Sequence, residues 1–311
     1  MKSNQKYLHY TTESDLFTGI NHQISNLICL LAEAKMTGRT AIVTPFFLAG
    51  HHNDGKPLTV YFERYLDLSE IKKVVKFVRK DEFEKRYARL STGQVMEQMP
   101  LDKVLKSDAP VLIRTFGSNL FRTIRVRNSA VKKHYEVLNN LLLPSAGVLA
   151  IAEQILLEKD YYVVHVRRGD ILNLRWWKYP GTDLDKGTQP NAIHRRISRW
   201  IKPDSTLYIM TDEYEEGFFD ALKKYYRVLT FRDFEDLVRL KEEDNFMLYE
   251  VEKVIAKQAK ISVEMFNEYA ESGKHEYSLF DYPRSGTKKW YYKFIERLVR
   301  RYRAIKKLVV S

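Results

Sequence analysis

The strongest structural signal in this chain is the stretch Tyr161-Tyr162-Val163-Val164-His165-Val166-Arg167-Arg168-Gly169-Asp170. Its first six residues form a β-rich, mostly apolar run, which predicts a strand buried on both faces. Charged residues and a glycine follow immediately, so polar groups are expected where the strand ends. In open parallel sheets, ligands bind beyond the carboxyl ends of the strands. This stretch therefore predicts both a parallel sheet and a ligand site at its edge.

The two adjacent arginines, Arg167 and Arg168, form a compact cationic group. A guanidinium stays charged and donates several hydrogen bonds in a planar fork, which suits phosphate oxygens. Gly169 removes a side chain that would keep a ligand away from the backbone. The alternative is an arginine paired with Asp170 that merely fastens a loop. The position at a strand end favours an anion site.

Strand and helix patterns alternate on both sides of this stretch, which predicts parallel sheets with right-handed crossovers. The first series has strands over 6–10, 40–44 and 111–114, with a helix that runs from about residue 24 to Gly38. A mainly helical segment over 129–158, interrupted near 143–145, follows. The second series has strands over 161–166, 206–210 and 227–230, and helices over 190–201, 215–226 and 245–258. We therefore expect an α/β fold with lobes over 1–150 and 151–287.

Two further segments place polar residues at predicted strand ends. Gly19 precedes a predicted helix whose free N–H groups would attract an anion, although Asn21 and Gln23 could serve only to cap that helix. Thr211-Asp212-Glu213 follows the strand over 206–210. Glu213 could likewise cap the helix expected over 215–226.

Composition narrows the class of protein. With 44% hydrophobic and 30% charged residues, the chain has enough apolar material for ordinary cores, which argues against disorder. Cys29 is the single cysteine, so an internal disulfide is excluded and a reducing compartment is favoured. Neither an apolar signal core at the N-terminus nor a membrane-spanning stretch is recognisable. A cytoplasmic location is expected, with the inner membrane face as an alternative.

The positive charge is concentrated at the C-terminus. Residues 288–311 hold nine Lys and Arg against one Glu, a net charge of +8 out of +12 for the whole chain. The main body is therefore not a nucleic-acid platform on charge alone, and no specific nucleic-acid partner is expected. The apolar stripe of 288–311 predicts a basic amphipathic helix. It either packs across the two lobes or binds an anionic membrane surface that carries a lipid-linked acceptor.

Taken together and in this order, the motifs resemble those of the GDP-fucose fucosyltransferases: the protein O-fucosyltransferases, the rhizobial nodulation fucosyltransferase and the core α1,6-fucosyltransferases. The resemblance covers roughly residues 7–275. It rests on Gly19-Ile20-Asn21-His22-Gln23, Tyr65-Leu66-Asp67-Leu68, His165 through Asp170, Gln189-Pro190-Asn191-Ala192-Ile193, and Leu207 through Glu213.

The resemblance implies a GT-B architecture, in which two Rossmann-like lobes face each other across a donor-binding cleft. It implies an N-terminal lobe on the acceptor side and a C-terminal lobe that binds the nucleotide sugar. It also implies an inverting, metal-independent transfer of L-fucose from GDP-fucose to a hydroxyl of a glycan or glycoconjugate. No cofactor and no metal are expected, and the adjacent histidines His51 and His52 lack the spacing typical of zinc ligands.

Site residues carried over from the family are predictions of the same kind. Arg167 would hold the β-phosphate and stabilise the departing GDP, a type of electrostatic contribution that is often large. Asn21 is a further catalytic candidate, and Asp15, Glu13 and Glu213 are available carboxylates among which the choice of base stays open. The remaining predicted donor contacts are Gly19, His22, His165, Arg168, Asp170, Thr211 and Asp212. The paired Trp176 and Trp177, with Asp15, are predicted to contact the acceptor, although the tryptophans could instead pack between the lobes.

One stretch departs from the family pattern. A small-residue turn rich in Thr and Ser is expected after the last core strand, but the corresponding stretch, Lys260 through Glu268, contains Glu264. An acidic side chain near a pyrophosphate would repel it. This departure favours one alternative, a GT-B glycosyltransferase with a different nucleotide sugar. The basic segment 288–311 leaves a second alternative open, a non-catalytic protein that binds nucleic acid or membrane.

Overall fold

The computed structural model describes residues 5–12, 19–50, 53, 55–87, 94–97, 101–116, 129–155, 160–169, 172 and 184–265. Two compact units account for them. The first unit extends to Ile151 and also includes Arg239–Glu250, and the second comprises Ala152–Val238 and the chain from Val251 onward. The sequence patterns did not indicate that 239–250 returns to the first unit.

The first unit is built on a five-stranded parallel sheet of order β6-β2-β1-β8-β7. Its strands are β1 (Tyr7–Thr12), β2 (Thr40–Val43), β3 (Phe46–Leu48), β4 (Leu58–Val60), β5 (Leu66–Asp67), β6 (Phe77–Arg79), β7 (Gln94–Glu97), β8 (Val111–Phe116) and β9 (Leu143–Pro144). Strands β3 and β4, and β5 and β9, form two small antiparallel pairs. The helices that begin in this part of the chain are α1 (Ile20–Thr37), α2 (Ser69–Lys72), α3 (Lys80–Arg86), α4 (Leu101–Lys106), α5 (Ser129–Asn140) and α6 (Ala146–Ile155).

Helix α1 is the main helix of the first unit. Its apolar residues recur at helical spacing, and Ile24, Leu27, Ile28 and Leu31 are all buried. The helix ends at Gly38, whose φ of 63° lies in the left-handed region that favours glycine. The expected helix and its end are therefore confirmed, and β2 follows two residues later.

The second unit is built on a four-stranded parallel sheet of order β12-β11-β10-β13. Its strands are β10 (Tyr161–Val166), β11 (Thr206–Thr211), β12 (Arg227–Thr230) and β13 (Ile261–Met265). The helices that begin in the second part of the chain are α7 (Leu184–Gly187), α8 (Pro190–Ile197), α9 (Glu235–Glu243) and α10 (Asn245–Gln258). All six residues of β10 are buried, as its composition predicts.

The helix expected over 215–226 is absent: the structure has turns and a short 3₁₀ helix over Asp220–Leu222. The prediction was wrong because Phe218, Phe219, Leu222 and Tyr226 follow a helix-like spacing while Gly217 has a φ of 76°. A residue in the left-handed region ends α-helical propagation. The periodicity therefore reflects burial of a turn rather than of a helix.

The stretch that departs from the family pattern also has a different structure from the one expected. Ile261–Met265 is itself the edge strand β13, and Glu264 lies in register with His165. The residues that follow Met265 lie outside the described residues. Glu264 therefore lies in a strand, and its expected position in a turn was wrong.

Residues 239–250 are tied to the first unit by buried polar contacts. Asp244 is fully buried and accepts hydrogen bonds from Tyr65 Oη at 3.0 Å and from Arg64 Nε at 2.5 Å. Asn53 is also buried; its Nδ2 donates to the Glu243 carbonyl at 3.3 Å, and its Oδ1 accepts from Asn245 N at 3.2 Å. These bonds satisfy buried groups that would otherwise be costly, so this segment is part of the first unit's core.

The helices of the described residues include none with the length and hydropathy needed to cross a bilayer.

Candidate functional site

The register of β10 and β11 brings the predicted arginine motif beside the predicted Thr-Asp-Glu segment. Val166 and Thr211 are partners at the ends of these parallel strands. The residues that follow them, Arg167 and Asp212, therefore emerge side by side. Arg167 Nε lies 3.0 Å from Asp212 Oδ2. The Thr211 hydroxyl donates to the Val166 carbonyl at 2.8 Å, which fixes the two strand ends together.

Arg167 and Arg168 occupy different environments. The side chain of Arg167 is 40% exposed, so part of it is accessible to a ligand, whereas its Nε atom, which faces Asp212, is buried. Arg168 is buried. Its guanidinium donates to Glu213 Oε2 at 2.5 Å, to Asp185 Oδ1 at 2.6 Å and to Thr188 Oγ1 at 2.7 Å. These contacts make Arg168 a structural anchor, whereas Arg167 is presented to solvent.

Asp212 organises the backbone of the motif. Its Oδ1 accepts hydrogen bonds from Arg168 N at 2.6 Å and Gly169 N at 3.1 Å, while its Oδ2 lies against Arg167. A carboxylate that accepts two backbone bonds has little rotational freedom. Asp212 therefore holds both the turn and the direction of the Arg167 side chain.

Glu213 is engaged on both carboxylate oxygens. Oε2 accepts from Arg168, and Oε1 accepts from the backbone N–H groups of Tyr214 and Glu215 at 2.8 and 3.0 Å. Burial by itself would raise the pKa of Glu213, but the hydrogen bonds from Glu215, Arg168 and Tyr214 outweigh it and lower that pKa. A general base works best with a pKa near the operating pH. The geometry therefore favours a supporting role for Glu213, and its role as a base stays a prediction.

His165 lies in β10, directly before the site. Burial, together with the positive charge of Arg167, lowers the pKa of its imidazole to about 4. The ring is therefore neutral at neutral pH. Because the His165 side chain is buried in β10, it is a packing residue next to the arginine motif.

A polar cavity of about 600 Å³ adjoins Arg168. Asp185, Gln189, Glu215 and Phe218 are among its lining residues. The Arg168 guanidinium lies over the Phe218 ring at 4.3 Å, and hydrogen bonds from that guanidinium lower the pKa of Asp185. Asp185, Thr188 and Phe218 were missed by sequence reasoning because contacts between distant segments create their role and no local motif marks them.

The predicted residues of the first unit lie at the start of α1. Gly19 is the N-cap residue, with extended backbone and no side-chain cap. Asn21 is exposed and donates from Nδ2 to Tyr249 Oη at 2.8 Å, and His22 is exposed beside it. Gln23 is buried and forms two hydrogen bonds with the backbone of Phe47. The donor role of Gly19, Asn21 and His22 stays a prediction.

Several predicted residues lie outside the described residues: Glu13, Asp15, Asp170, Trp176 and Trp177, together with His51, His52 and the segment 288–311. Within the described ranges, no group of three or more His, Cys, Asp or Glu side chains is placed to hold a metal ion.

Comparison with solved structures identifies the fold. The chain is similar to the crystal structure of POFUT1 in complex with GDP-fucose, with a TM-score of 0.52 and 12% identity over 91% of this chain and 97% of that one. It is similar to NodZ α-1,6-fucosyltransferase soaked with GDP-fucose, with a TM-score of 0.51 and 11% identity over 86% and 91% of the two chains. The fucosyltransferase NodZ from Bradyrhizobium gives a TM-score of 0.51 and 11% identity over 84% and 88%.

No protein-family model and no curated protein sequence matches the chain. The structural likeness extends over most of the chain at an identity too low to show more than fold. The predicted α/β, GT-B-type fold of the fucosyltransferases is therefore confirmed.

Proposed function

We propose that this chain is a glycosyltransferase that transfers L-fucose from GDP-fucose to a hydroxyl group of a glycan or glycoconjugate. The proposal is supported by the shared fold with POFUT1, solved in complex with GDP-fucose, and with NodZ, whose crystal was soaked with GDP-fucose. The observation that carries it is the accessible Arg167 guanidinium, which Asp212 orients beyond the end of β10. Such a cation beyond a strand end is suited to a pyrophosphate.

The proposed reaction is a single displacement with inversion and without a metal ion. The acceptor oxygen forms a bond to C1 of the fucose while the bond from C1 to the β-phosphate oxygen breaks, and GDP leaves with the electron pair. Negative charge grows on the phosphate as that bond breaks. Arg167 would stabilise this charge, and fixed cationic donors are effective because they need no reorganisation during the reaction.

In this proposal, residues near Arg167 keep its guanidinium in the position that binds the phosphate. Asp212 opposes it at 3.0 Å, and Arg168 fastens the Asp185 and Glu213 segments to the end of β10. The acceptor hydroxyl must lose a proton during the transfer. The contacts of both Glu213 carboxylate oxygens favour support of Arg168 over removal of that proton, and its role as the base stays a prediction.

Nucleotide selectivity tests the proposal. Thermal unfolding of the full chain is measured with GDP, UDP, ADP and CMP, and we expect GDP to stabilise most. Arg167→Gln should weaken GDP binding by about tenfold or more, since a hydrogen bond to a charged group contributes about 1.5–3 kcal/mol. The matched control is Arg227→Gln, which removes the same charge from an exposed residue at the amino end of β12.

The same panel separates the alternatives. Stabilisation by another nucleotide in preference to GDP would indicate a GT-B glycosyltransferase with a different donor. A chain that responds to no nucleotide, but binds RNA or vesicles with steep salt dependence, would be a non-catalytic basic protein.

We also propose that the reaction takes place in the cytoplasm, at the inner membrane face, as a step of glycan assembly. The +8 charge of residues 288–311 supports attraction to anionic lipid. Co-sedimentation with anionic vesicles should fall when 288–311 is deleted. Equal sedimentation of the two chains would count against this location.

A further inference from the structure

The first unit contains a cavity of about 300 Å³ that the donor proposal does not use. It is lined by residues at the carboxyl ends of β1 and β2, by one side of α1 and by the start of α3. The edge of a parallel sheet where strands end is a common place for a ligand. All of the lining residues belong to the first unit.

His9 is the buried polar residue of this cavity. It is 2% exposed, and its Nδ1 lies 3.0 Å from the carbonyl oxygen of Ile42 on the neighbouring strand. A carbonyl oxygen can only accept, so Nδ1 carries the hydrogen. Burial lowers the pKa of His9 by more than its hydrogen bond to Ile42 raises it, and the nearby charge of Lys80 also lowers it, so the ring is neutral at neutral pH. Its Nε2 atom is then a hydrogen-bond acceptor, for which the described residues supply no donor.

Lys80, the first residue of α3, adds a positive charge to the same cavity. Its side chain is half-buried, and no carboxylate of the described residues forms an ion pair with it. The cavity therefore combines an acceptor suited to a hydroxyl group with a cation suited to an anion.

The walls of the cavity are apolar and fixed. Phe46 and Phe47 contribute aromatic surface, and the Phe46 ring stacks on Tyr65 at 6.2 Å. The Gln23 amide holds Phe47 by donating to its carbonyl at 2.7 Å and accepting from its N–H at 2.8 Å. Aromatic side chains beside a few placed polar groups are typical of pockets for amphipathic ligands such as sugars.

We propose that this cavity binds a sugar residue of the acceptor, one that carries an anionic group, either a carboxylate or a phosphate. A ring hydroxyl donates to His9 Nε2, the anionic group lies at Lys80, and the apolar face of the ring packs on the phenylalanines. That the bound sugar belongs to the acceptor rests on the proposed transferase function. That the cavity binds an anionic sugar rests only on the residues that line it.

The test uses the full chain labelled with ¹⁵N-histidine and titrated with D-glucuronate, D-glucose 6-phosphate, D-glucose and inorganic phosphate. The Nε2 resonance of His9 is assigned by its loss in His9→Asn, a variant whose amide can still donate to Ile42. Both acidic sugars should shift this resonance and bind about tenfold more tightly than glucose, as expected for a charge-assisted contact. The tighter of the two identifies the anionic group.

Two variants separate charge from fold. Lys80→Gln should abolish the roughly tenfold preference for acidic sugars over glucose. Lys76→Gln removes an exposed charge outside the cavity and should leave this preference unchanged. An unmoved His9 resonance with all sugars, an equal affinity for glucose, or a response to phosphate without a sugar preference would each overturn the proposal.

GDP stabilisation, measured in parallel, shows whether each variant is folded and whether the donor proposal holds. If GDP binds and His9 does not respond to sugars, this inference fails alone. If His9 responds but GDP does not bind, the cavity stands and its assignment to an acceptor fails with the transferase function.

Discussion

A methyl group on Gly169 would lie 2.7 Å from the main-chain oxygen of Asp212 and 2.8 Å from its Oδ2. Gly169 is therefore required for a close approach of two strand ends. We predict that Gly169→Ala destabilises the chain by about 1–3 kcal/mol, the usual cost of overpacking, and weakens GDP binding by displacing Asp212. Urea unfolding and GDP titration measure the two effects.

The control for this variant is Gly147→Ala, in helix α6, where an added methyl group would come no closer than 3.8 Å to the Ser145 hydroxyl. It should be neutral or slightly stabilising, because alanine favours a helix over glycine. Equal effects of the two substitutions would show that the approach to Asp212 is unimportant.

Replacement of Arg168 should mainly lower the stability of the fold, whereas replacement of Arg167 should mainly lower the affinity for GDP. Arg168→Met leaves the largely buried carboxylate of Glu213 without its guanidinium, and we expect a loss of about 3 kcal/mol in unfolding free energy. Arg167→Met changes a side chain that is 40% exposed, so stability should change by about 0.5 kcal/mol or less while GDP affinity falls. Urea unfolding with GDP titration distinguishes the two. A stable Arg168→Met chain with impaired nucleotide binding would reverse the assignment of roles.

His165 should make stability depend on pH. Its pKa is about 4 in the folded chain and about 6.5 when unfolded, so the unfolded state binds more protons between these values. The full stability is therefore present above about pH 6.5 and is lost as the pH falls toward 4, by about 3 kcal/mol in all. His165→Asn should flatten this dependence in urea unfolding at pH 5 and pH 7. An unchanged slope in the variant would mean that His165 is protonated in the fold.

The first unit contains a buried ionic cluster, in which Glu33 accepts hydrogen bonds from Arg114 Nη1 and Tyr10 Oη. Both charged side chains are almost fully buried. Arg114→Met should cost about 3–5 kcal/mol because it leaves a buried carboxylate unpaired. Adding Glu33→Leu should recover most of that loss, since a matched apolar pair avoids the burial of charge. Additive losses in the double variant would contradict this explanation.

The spacing of apolar residues along the sequence correctly predicted the elements whose conformation follows from the burial of their own side chains. Strand β10 and helix α10 have the predicted bounds, because a mostly apolar strand and a helix with regular periodicity need little tertiary information. The pattern failed at 215–226, where Gly217 interrupts a helix-like spacing. At that point backbone conformation overrides side-chain periodicity. The family resemblance, rather than the pattern, failed at Ile261–Met265, where a turn was expected but the alternating apolar and polar residues form an edge strand.

The sequence was sufficient to locate the candidate site, but not to distinguish the roles of Arg167 and Arg168 within it. The motif placed two guanidinium groups at a strand end, and the structure supplies the distinction between them. Asp185 and Thr188 reach Arg168 from a separate segment, so its burial is a tertiary property. No local motif indicated a role for His9, because its chemistry depends on a carbonyl of the neighbouring strand.

The discontinuous first unit has a consequence for biosynthesis. Tyr65 and Arg64 find their buried partner, Asp244, only after about 180 further residues have been made. Domains generally fold as units while the ribosome is still translating. Here the N-terminal unit must wait, partly assembled, until most of the second sheet has left the exit tunnel. A nascent chain arrested before residue 239 should therefore be protease-sensitive in its N-terminal unit, and one arrested well past 250 should resist.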